Sequence, residues 1–152
     1  MSTLSALVTE LETKIEHQEQ LNNAVSNASV GWHIQHSIMV FLQIIKTLEK
    51  SNPAEYQYKF NLKKTIVFTL NKIPRGKAKA PERVMPGETL NADELNTQIQ
   101  LLKTRINVLD SLPPASHFKH HVFGKLNLKA TIKMLKIHTK HHIGIIQDII
   151  KG

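Results

Sequence analysis

The chain has 152 residues, of which 41% are hydrophobic, and it carries a formal net charge of +8 with no cysteine. This length and composition predict a single globular domain over residues 1–152 and exclude a disordered tail. The lack of cysteine excludes disulfides, thiolate nucleophiles and cysteine-based zinc or iron–sulfur sites, so any metal must be held by nitrogen or oxygen.

Two long helices are predicted in the first third of the chain. Residues 3–24 place apolar side chains at helical spacing with mostly polar residues between them. Cap-forming residues (Ser26, Asn27 and Ser29) then precede a second helical pattern that runs to about Lys50. The apolar positions are Leu4, Val8, Leu11 and Ile15 in the first pattern and Val30, Trp32, Ile34, Ile38, Phe41, Ile45 and Leu48 in the second.

The middle of the chain predicts short helices and a long loop. Asn52 before Pro53 and Glu55 combines an N-cap, a proline at the first helical position and a capping-box acid, so a short helix should start there. Residues 62–73 are β-branched enough for a strand, but they have no pairing partner, and a helix is predicted. Prolines and glycines exclude a regular element across residues 74–91, a length typical of a bundle crossover or a lid.

Two further helices are predicted in the last third of the chain. Asn91 with Glu94 forms a capping box before a helix that ends ahead of Pro113. After a histidine-containing loop, Asn127 can cap a last helix that extends to the C-terminal residues. No strand is predicted, so the fold class is all-α, with four long helices and short extra ones. The loop contains His117, His120, His121 and Gly124.

The chain contains no recognisable targeting or membrane-spanning segment. The N-terminal residues do not resemble a signal peptide, because Glu10, Glu12 and Lys14 interrupt the apolar positions there. No stretch approaches the ~18 consecutive apolar residues that span a bilayer. We therefore expect a soluble, cytoplasmic protein without a membrane partner.

A net positive charge favours binding to a nucleic acid or an acidic membrane. In this chain the charge is unevenly distributed. On the last helix the lysines step by three and four, which places them along one face. We interpret this face as solvated, so a nucleic-acid partner is not expected, and the long loop as a basic surface segment. Contact of the loop with an anionic substrate or partner is the alternative. The lysines are Lys129, Lys133, Lys136 and Lys140, and the loop carries Arg75, Lys77, Lys79 and Arg83.

Two of the nine histidines stand one turn apart on the last helix. His138 and His142 are separated by four residues, so their rings share one face, with Cβ atoms about 5–6 Å apart. Burying two imidazoles is costly unless their nitrogens find partners, and a metal ion satisfies both. Hydrogen bonds to buried carbonyl or carboxylate groups are the alternative. Thr139 stands where the zincin motif requires glutamate, so that motif is excluded. The apolar residues on the same face are Leu128, Leu135, Ile145 and Ile149.

A third ligand is expected from the second helix, which offers His33 and His36. His33 lies nearer the centre of the apolar face of that helix, whereas His36 lies at its edge near Val40. Helical periodicity alone therefore slightly favours His33 and leaves both residues open.

The residues that open the second helix resemble a known family. The stretch from Val30 to Ser37, with Trp32 before His36, is similar to the start of the second helix in the DinB-like superfamily of metal-binding four-helix bundles. There, a tryptophan opens the helix and a histidine after it binds the metal. Residues 121–126, with the sequence HVFGKL, resemble the H-x-F-G-x-L segment of one branch of this superfamily. An H-x-x-H-H run follows in that branch, as residues 138–142 do here, and the resemblance covers most of the chain.

This resemblance implies a four-helix bundle with a long crossover loop and one divalent metal ion. Its ligands would be His36, His138 and His142, while His33 and His141 would orient or line the site. His121 would be a loop residue without an assigned role, and Ile145 stands where the branch often has glutamine. Zinc or nickel suits three nitrogen ligands. Because the superfamily often dimerises, a homodimer is also implied.

Three neutral imidazoles around a divalent ion leave positions open for water, which is typical of a catalytic site. The resemblance implies a metal-dependent hydrolase or a thiol-dependent transferase that acts on a small-molecule substrate. No Glu, Asp or Tyr near the motifs is an obvious general base. The alternatives are a non-catalytic metal-binding stress or accessory protein and a basic nucleic-acid-binding helical module.

Overall fold

The computed structural model describes residues 3–76 and 80–152, and it confirms a mostly helical chain. Within this part of the chain lie five α-helices, two short strands and four 3₁₀ turns. None of the helices described has the length and hydropathy that crossing a membrane requires. The helices are α1 (Leu4–Glu12), α2 (Val30–Lys50), α3 (Leu62–Leu70), α4 (Ala92–Ile106) and α5 (Leu128–Lys151). The strands are β1 (His117–His120) and β2 (Gly124–Asn127), and the 3₁₀ turns are Ile15–His17, Pro53–Glu55, Glu82–Val84 and Asn107–Ser111.

Four helices enclose the hydrophobic core. Helix α2 packs against α4 and α5, and α1 packs against the same two helices, whereas the main helix partner of α3 is α5. The predicted apolar stripes supply the core, because each helix turns its apolar face toward the others. Fully buried side chains from the four helices include Val8, Phe41, Leu95, Leu102, Leu135 and Ile146.

The predicted helix starts agree with the observed caps. The Asn91 side chain accepts a hydrogen bond from the Glu94 backbone N–H at 2.9 Å, and the Glu94 carboxylate accepts one from the Asn91 N–H at 2.9 Å. Asn127 accepts from the Ala130 N–H at 2.9 Å at the start of α5. These contacts satisfy backbone donors that a helix leaves unpaired at its N-terminus.

The first helix is shorter than its apolar pattern predicted. It ends at Glu12, and the chain continues through the turn at residues 15–17 rather than to residue 24. The reason lies in the start of α2, where the Val30 N–H donates to the Gln20 carbonyl and the Gly31 N–H donates to the Gln18 carbonyl. A continuous helix would have used these carbonyls internally, so they would not be free to cap α2.

The prediction that the chain has no strand was wrong. Strands β1 and β2 form an antiparallel hairpin in which His117 pairs with Asn127 and His120 pairs with Gly124. Gly124 has a φ of +73°, a left-handed conformation that favours glycine at the end of the turn. Strands of four residues are too short to show a periodic pattern, which explains why the segment was predicted as a loop.

Residues 88–90, in the segment between α3 and α4, are hydrogen-bonded to the first part of α2. The Gln35 side chain donates to the Glu88 carbonyl at 3.1 Å and accepts from the Leu90 N–H at 3.2 Å. In the described part of this segment, a 3₁₀ turn lies at residues 82–84. Two of its predicted basic residues, Lys77 and Lys79, lie outside the described residues.

Candidate metal centre

Three imidazoles from α2 and α5 converge beside the hairpin. The Nε2 atom of His138 lies 3.2 Å from Nε2 of His36 and 3.2 Å from Nε2 of His142. One ring nitrogen from each residue lies within 4.8 Å of the other two. The structure therefore brings the three predicted ligands, His36, His138 and His142, close enough to hold one metal ion.

These separations match the edges of a metal coordination shell. Imidazole nitrogens bind zinc at about 2.0–2.1 Å, so two ligands at a tetrahedral angle are about 3.4 Å apart. At a right angle the same bond lengths place them about 2.9 Å apart. The two 3.2 Å separations that His138 makes lie between these values, so the spacing of His138 from each of the other two rings suits a shared ion.

His36 is held with its Nε2 atom free to act as a ligand. Its Nδ1 lies 2.6 Å from the backbone carbonyl of Val84, a contact that requires Nδ1 to carry the hydrogen and donate. The Trp32 ring stacks on the imidazole, with centroids 5.0 Å apart and planes 14° apart. In the neutral ring the lone pair is therefore on Nε2, which faces His138.

His33 lies behind His142 rather than in the triad. Its Nδ1 is 2.9 Å from Nδ1 of His142, and its Nε2 is 3.0 Å from the Ser26 hydroxyl. The slight preference of the helical periodicity for His33 as the third ligand therefore differs from the geometry, which brings His36 to the triad. The periodicity correctly placed His33 in the interior, where its exposed fraction is 4%, but His36 is also buried, at 2%.

Hydrogen bonds alone do not satisfy the two contacts of His138. If its Nε2 carries a hydrogen, that hydrogen is shared between two acceptors. If its Nε2 is the acceptor, His142 can donate to it, but His36 has no hydrogen to offer because its own is on Nδ1. In every neutral arrangement at least one of these two nitrogen pairs has no hydrogen between its atoms, so two lone pairs face each other. A metal cation between the nitrogens would accept both lone pairs.

Within the described part of the chain, the Nδ1 atom of His138 has no hydrogen-bond partner. It is buried, and among the residues described no donor or acceptor lies within bonding distance of it. A metal-bound histidine usually donates its second nitrogen to a carbonyl or carboxylate, as His36 does to Val84. His138 therefore lacks the support that His36 and His142 receive from their neighbours.

The surroundings keep the imidazoles of this cluster neutral. Burial lowers the pKa of His138 and of His142 well below the usual range, and the repulsion that protonated neighbouring histidines would exert lowers both further. Burial also lowers the pKa of His36, although the hydrogen bond to Val84 opposes this shift. Neutral rings are the form that binds a metal, so the cluster does not have to lose protons first.

Further positive charges surround the cluster. Burial, followed by the charges of His36, His141 and Arg75, lowers the pKa of His33 to about 4. Burial and then Arg75 lower the pKa of His141, whose ring meets that of His142 edge-on at 5.1 Å. Arg75 itself pairs with Asp148 at 2.8 Å.

His120 is a neighbour of the cluster that the sequence did not single out for a role. Its ring is stacked on Phe123 at 4.4 Å and on His121 at 4.5 Å, and its charge contributes to the lowered pKa of His138. The hairpin orients it, because Nδ1 of His120 accepts from the backbone N–H groups of Val122 and Phe123. His121 is exposed. No sequence signal separated these two residues, since the hairpin was not predicted.

Comparison of the chain with models of known families, with curated proteins and with solved structures found no match.

Proposed function

We propose that the protein binds one divalent metal ion through the Nε2 atoms of His36, His138 and His142. The two 3.2 Å contacts of His138, which no neutral arrangement of hydrogens satisfies fully, carry this proposal. Neutral imidazoles are typical ligands of zinc and nickel, and either ion suits three nitrogens. A DinB-like four-helix bundle formed by α1, α2, α4 and α5 is the corresponding proposal for the fold.

An enzymatic role is the finer part of the proposal. Three protein ligands leave coordination positions open, and an ion there would act as a Lewis acid toward a carbonyl group or a small thiol. This chemistry fits a metal-dependent hydrolase or a thiol-dependent transferase that acts on a small molecule, as the resemblance to the DinB-like superfamily implies. His120 and His141 border the triad and would face such a substrate.

A non-catalytic metal-binding protein is the second candidate. The groups whose charge lowers the pKa values of His33, His120 and His141 are arginines and other histidines, and no carboxylate is among them. A site with a carboxylate general base would show the opposite influence. The observed surroundings therefore also suit a stress or accessory protein that holds the ion without turnover.

The metal content of the untagged protein tests the binding proposal. We expect about one zinc or nickel ion per chain in the wild type and loss of the ion in His36→Ala, His138→Ala and His142→Ala, because two imidazoles bind far more weakly than three. The matched control is His121→Ala, which removes an exposed imidazole outside the triad and should keep the ion.

Two results would contradict this assignment. A wild-type protein that does not take up zinc or nickel in equilibrium dialysis would refute metal binding, provided circular dichroism shows the folded chain. Retention of the ion in His36→Ala with loss in His33→Ala would move the third ligand to His33.

A separate assay distinguishes the enzyme from the accessory protein. Turnover of esters, amides or thiol acceptors that His142→Ala abolishes would identify an enzyme.

A further inference from the structure

Helix α3 and the residues before it expose a row of large apolar side chains. Leu62, Ile66 and Leu70 follow one another at intervals of four along α3, with exposed fractions of 61%, 50% and 68%. Tyr58 and Phe60 lead into this row and are 66% and 69% exposed. Eight large hydrophobic side chains are exposed in residues 3–76 and 80–152, and five of them belong to this row. We refer to these five residues as the α3 face.

The α3 face is opposite the side on which the helix contacts the protein. Val67 and Phe68 pack against the core, and the Phe68 ring meets that of Phe123 edge-on at 5.8 Å. Since residues 62, 66 and 70 point away from this contact, α3 is apolar on two sides. Neighbouring large apolar side chains that are at least half exposed are typical of an interaction surface.

The surroundings of the α3 face are basic. Residues 56–72 contain four lysines and no acidic residue. Lys64 lies over the Tyr58 ring at 4.8 Å, and Lys133 of α5 lies over the Phe68 ring at 5.7 Å. Lys59 and Lys63 alternate in the chain with members of the apolar row, and Lys64 contacts its first member, Tyr58, whereas Lys133 lies on the opposite side of α3, against Phe68. The four lysines are Lys59, Lys63, Lys64 and Lys72.

We infer that the α3 face docks onto the surface of an anionic lipid bilayer. A short amphipathic segment that exposes leucine, isoleucine and aromatic side chains on one surface, with lysines nearby, is typical of an element that lies in the membrane interface. The lysines would meet anionic headgroups while the apolar row enters the boundary of the acyl chains. The sequence-based expectation of no membrane partner rested on the lack of a spanning segment, and a surface contact does not need one.

The lysines around the α3 face favour an anionic bilayer over a second copy of the chain or a nucleic acid. A second copy of the chain would bring two sets of lysines together, which opposes association through this face. A nucleic acid would neutralise the lysines but would leave the leucines and the isoleucine without an apolar partner. An anionic bilayer supplies both the negative charge and the apolar region.

Co-sedimentation with vesicles tests the inference. We expect the wild type to bind vesicles of phosphatidylcholine with phosphatidylglycerol at least tenfold more strongly than vesicles of phosphatidylcholine alone. The triple variant Leu62→Ser, Ile66→Ser, Leu70→Ser should bind the anionic vesicles at least tenfold more weakly than the wild type. Replacing Lys59, Lys63 and Lys64 by glutamine should remove the preference for anionic vesicles. Salt at about 0.5 M should weaken wild-type binding, because it screens the attraction between exposed lysines and anionic headgroups.

The matched control is Leu101→Ser, which removes another large side chain, 45% exposed, from α4 and should bind vesicles as the wild type does. Because the replaced side chains are exposed, the variants should retain the wild-type circular dichroism. Equal binding by the wild type and the triple variant, or no binding to anionic vesicles, would overturn the inference. A wild-type dimer that the triple variant dissociates and that does not bind vesicles would identify a second copy as the occupant and overturn it as well.

Discussion

His142 is oriented by a second histidine rather than by a carboxylate or a backbone carbonyl. Its Nδ1 faces Nδ1 of His33, whose other nitrogen lies 3.0 Å from the Ser26 hydroxyl. If His33 donates to Ser26, it accepts from His142, and this places the lone pair of His142 on Nε2 toward the triad. The Ser26 oxygen also accepts from the Ala28 N–H at 3.1 Å, which holds it in place.

Replacing His33 tests this arrangement at the residue scale. We expect His33→Ala to weaken metal affinity about 10- to 100-fold without changing the number of ions bound, because a residue that orients a ligand is lost but no ligand is. His33→Asn retains an oxygen acceptor near the position of Nδ1 and should recover part of the affinity. Isothermal titration with zinc measures both, and an unchanged affinity in His33→Ala would show that His33 does not orient His142.

At the scale of the elements, α5 supplies two of the three candidate ligands and begins directly at the end of the hairpin. Asn127 is both the last residue of β2 and the N-cap of α5, where it accepts from the Ala130 N–H. The Thr131 hydroxyl donates to the Asn127 carbonyl at 2.7 Å in the same turn. One residue therefore sets where the helix starts and how the hairpin meets it.

Removing this cap should destabilise the fold without removing the ligands. We expect Asn127→Ala to lower the free energy of unfolding by about 1 kcal/mol, because the Ala130 N–H loses its acceptor. Asn127→Asp keeps an acceptor at the same position and should stay near the wild type. Urea unfolding measures the difference, while metal stoichiometry should remain that of the wild type, since His138 lies 11 residues further along α5.

At the scale of the whole molecule, histidines from α2, the hairpin and α5 are brought together on folding, and their lowered pKa values make the stability of the fold depend on pH. Burial, with the charges of His121 and Arg83, lowers the pKa of His120 to about 4, and His33 is lowered to about 4 as well. In the unfolded chain these rings regain a pKa near 6.5. Between these values the unfolded chain binds more protons than the folded one, so stability rises with pH across this window.

We therefore expect the metal-free protein to lose stability as the pH falls from about 6.5 to about 4. Each proton taken up on unfolding contributes up to about 1.4 kcal/mol per pH unit to the slope. His120→Asn offers an oxygen acceptor to the backbone N–H groups of Val122 and Phe123 without titrating, so its slope should be smaller. Urea unfolding with a chelator at several pH values measures this, and a flat profile for the wild type would contradict it.

The sequence by itself determined where the long helices begin and the pair of histidines on α5. Caps such as Asn91 and Asn127 and the apolar spacing of each helix depend on residues within four positions of one another, so they can be read locally. The same holds for His138 and His142, because one helical turn places them on a common face in any fold. These parts of the fold and of the candidate site were predicted correctly for that reason.

Only the tertiary structure decided what depends on residues far apart in the chain. The packing of α2 against α5 places His36 beside His138 and His33 behind His142, and the Val84 carbonyl, 48 residues from His36, fixes the hydrogen of that ring on Nδ1. The short first helix, the hairpin and the α3 face likewise depend on which groups the rest of the chain covers or leaves in solvent. Periodicity shows that a residue such as Leu62 or Ile66 is apolar, but only packing determines whether anything in the same chain buries it.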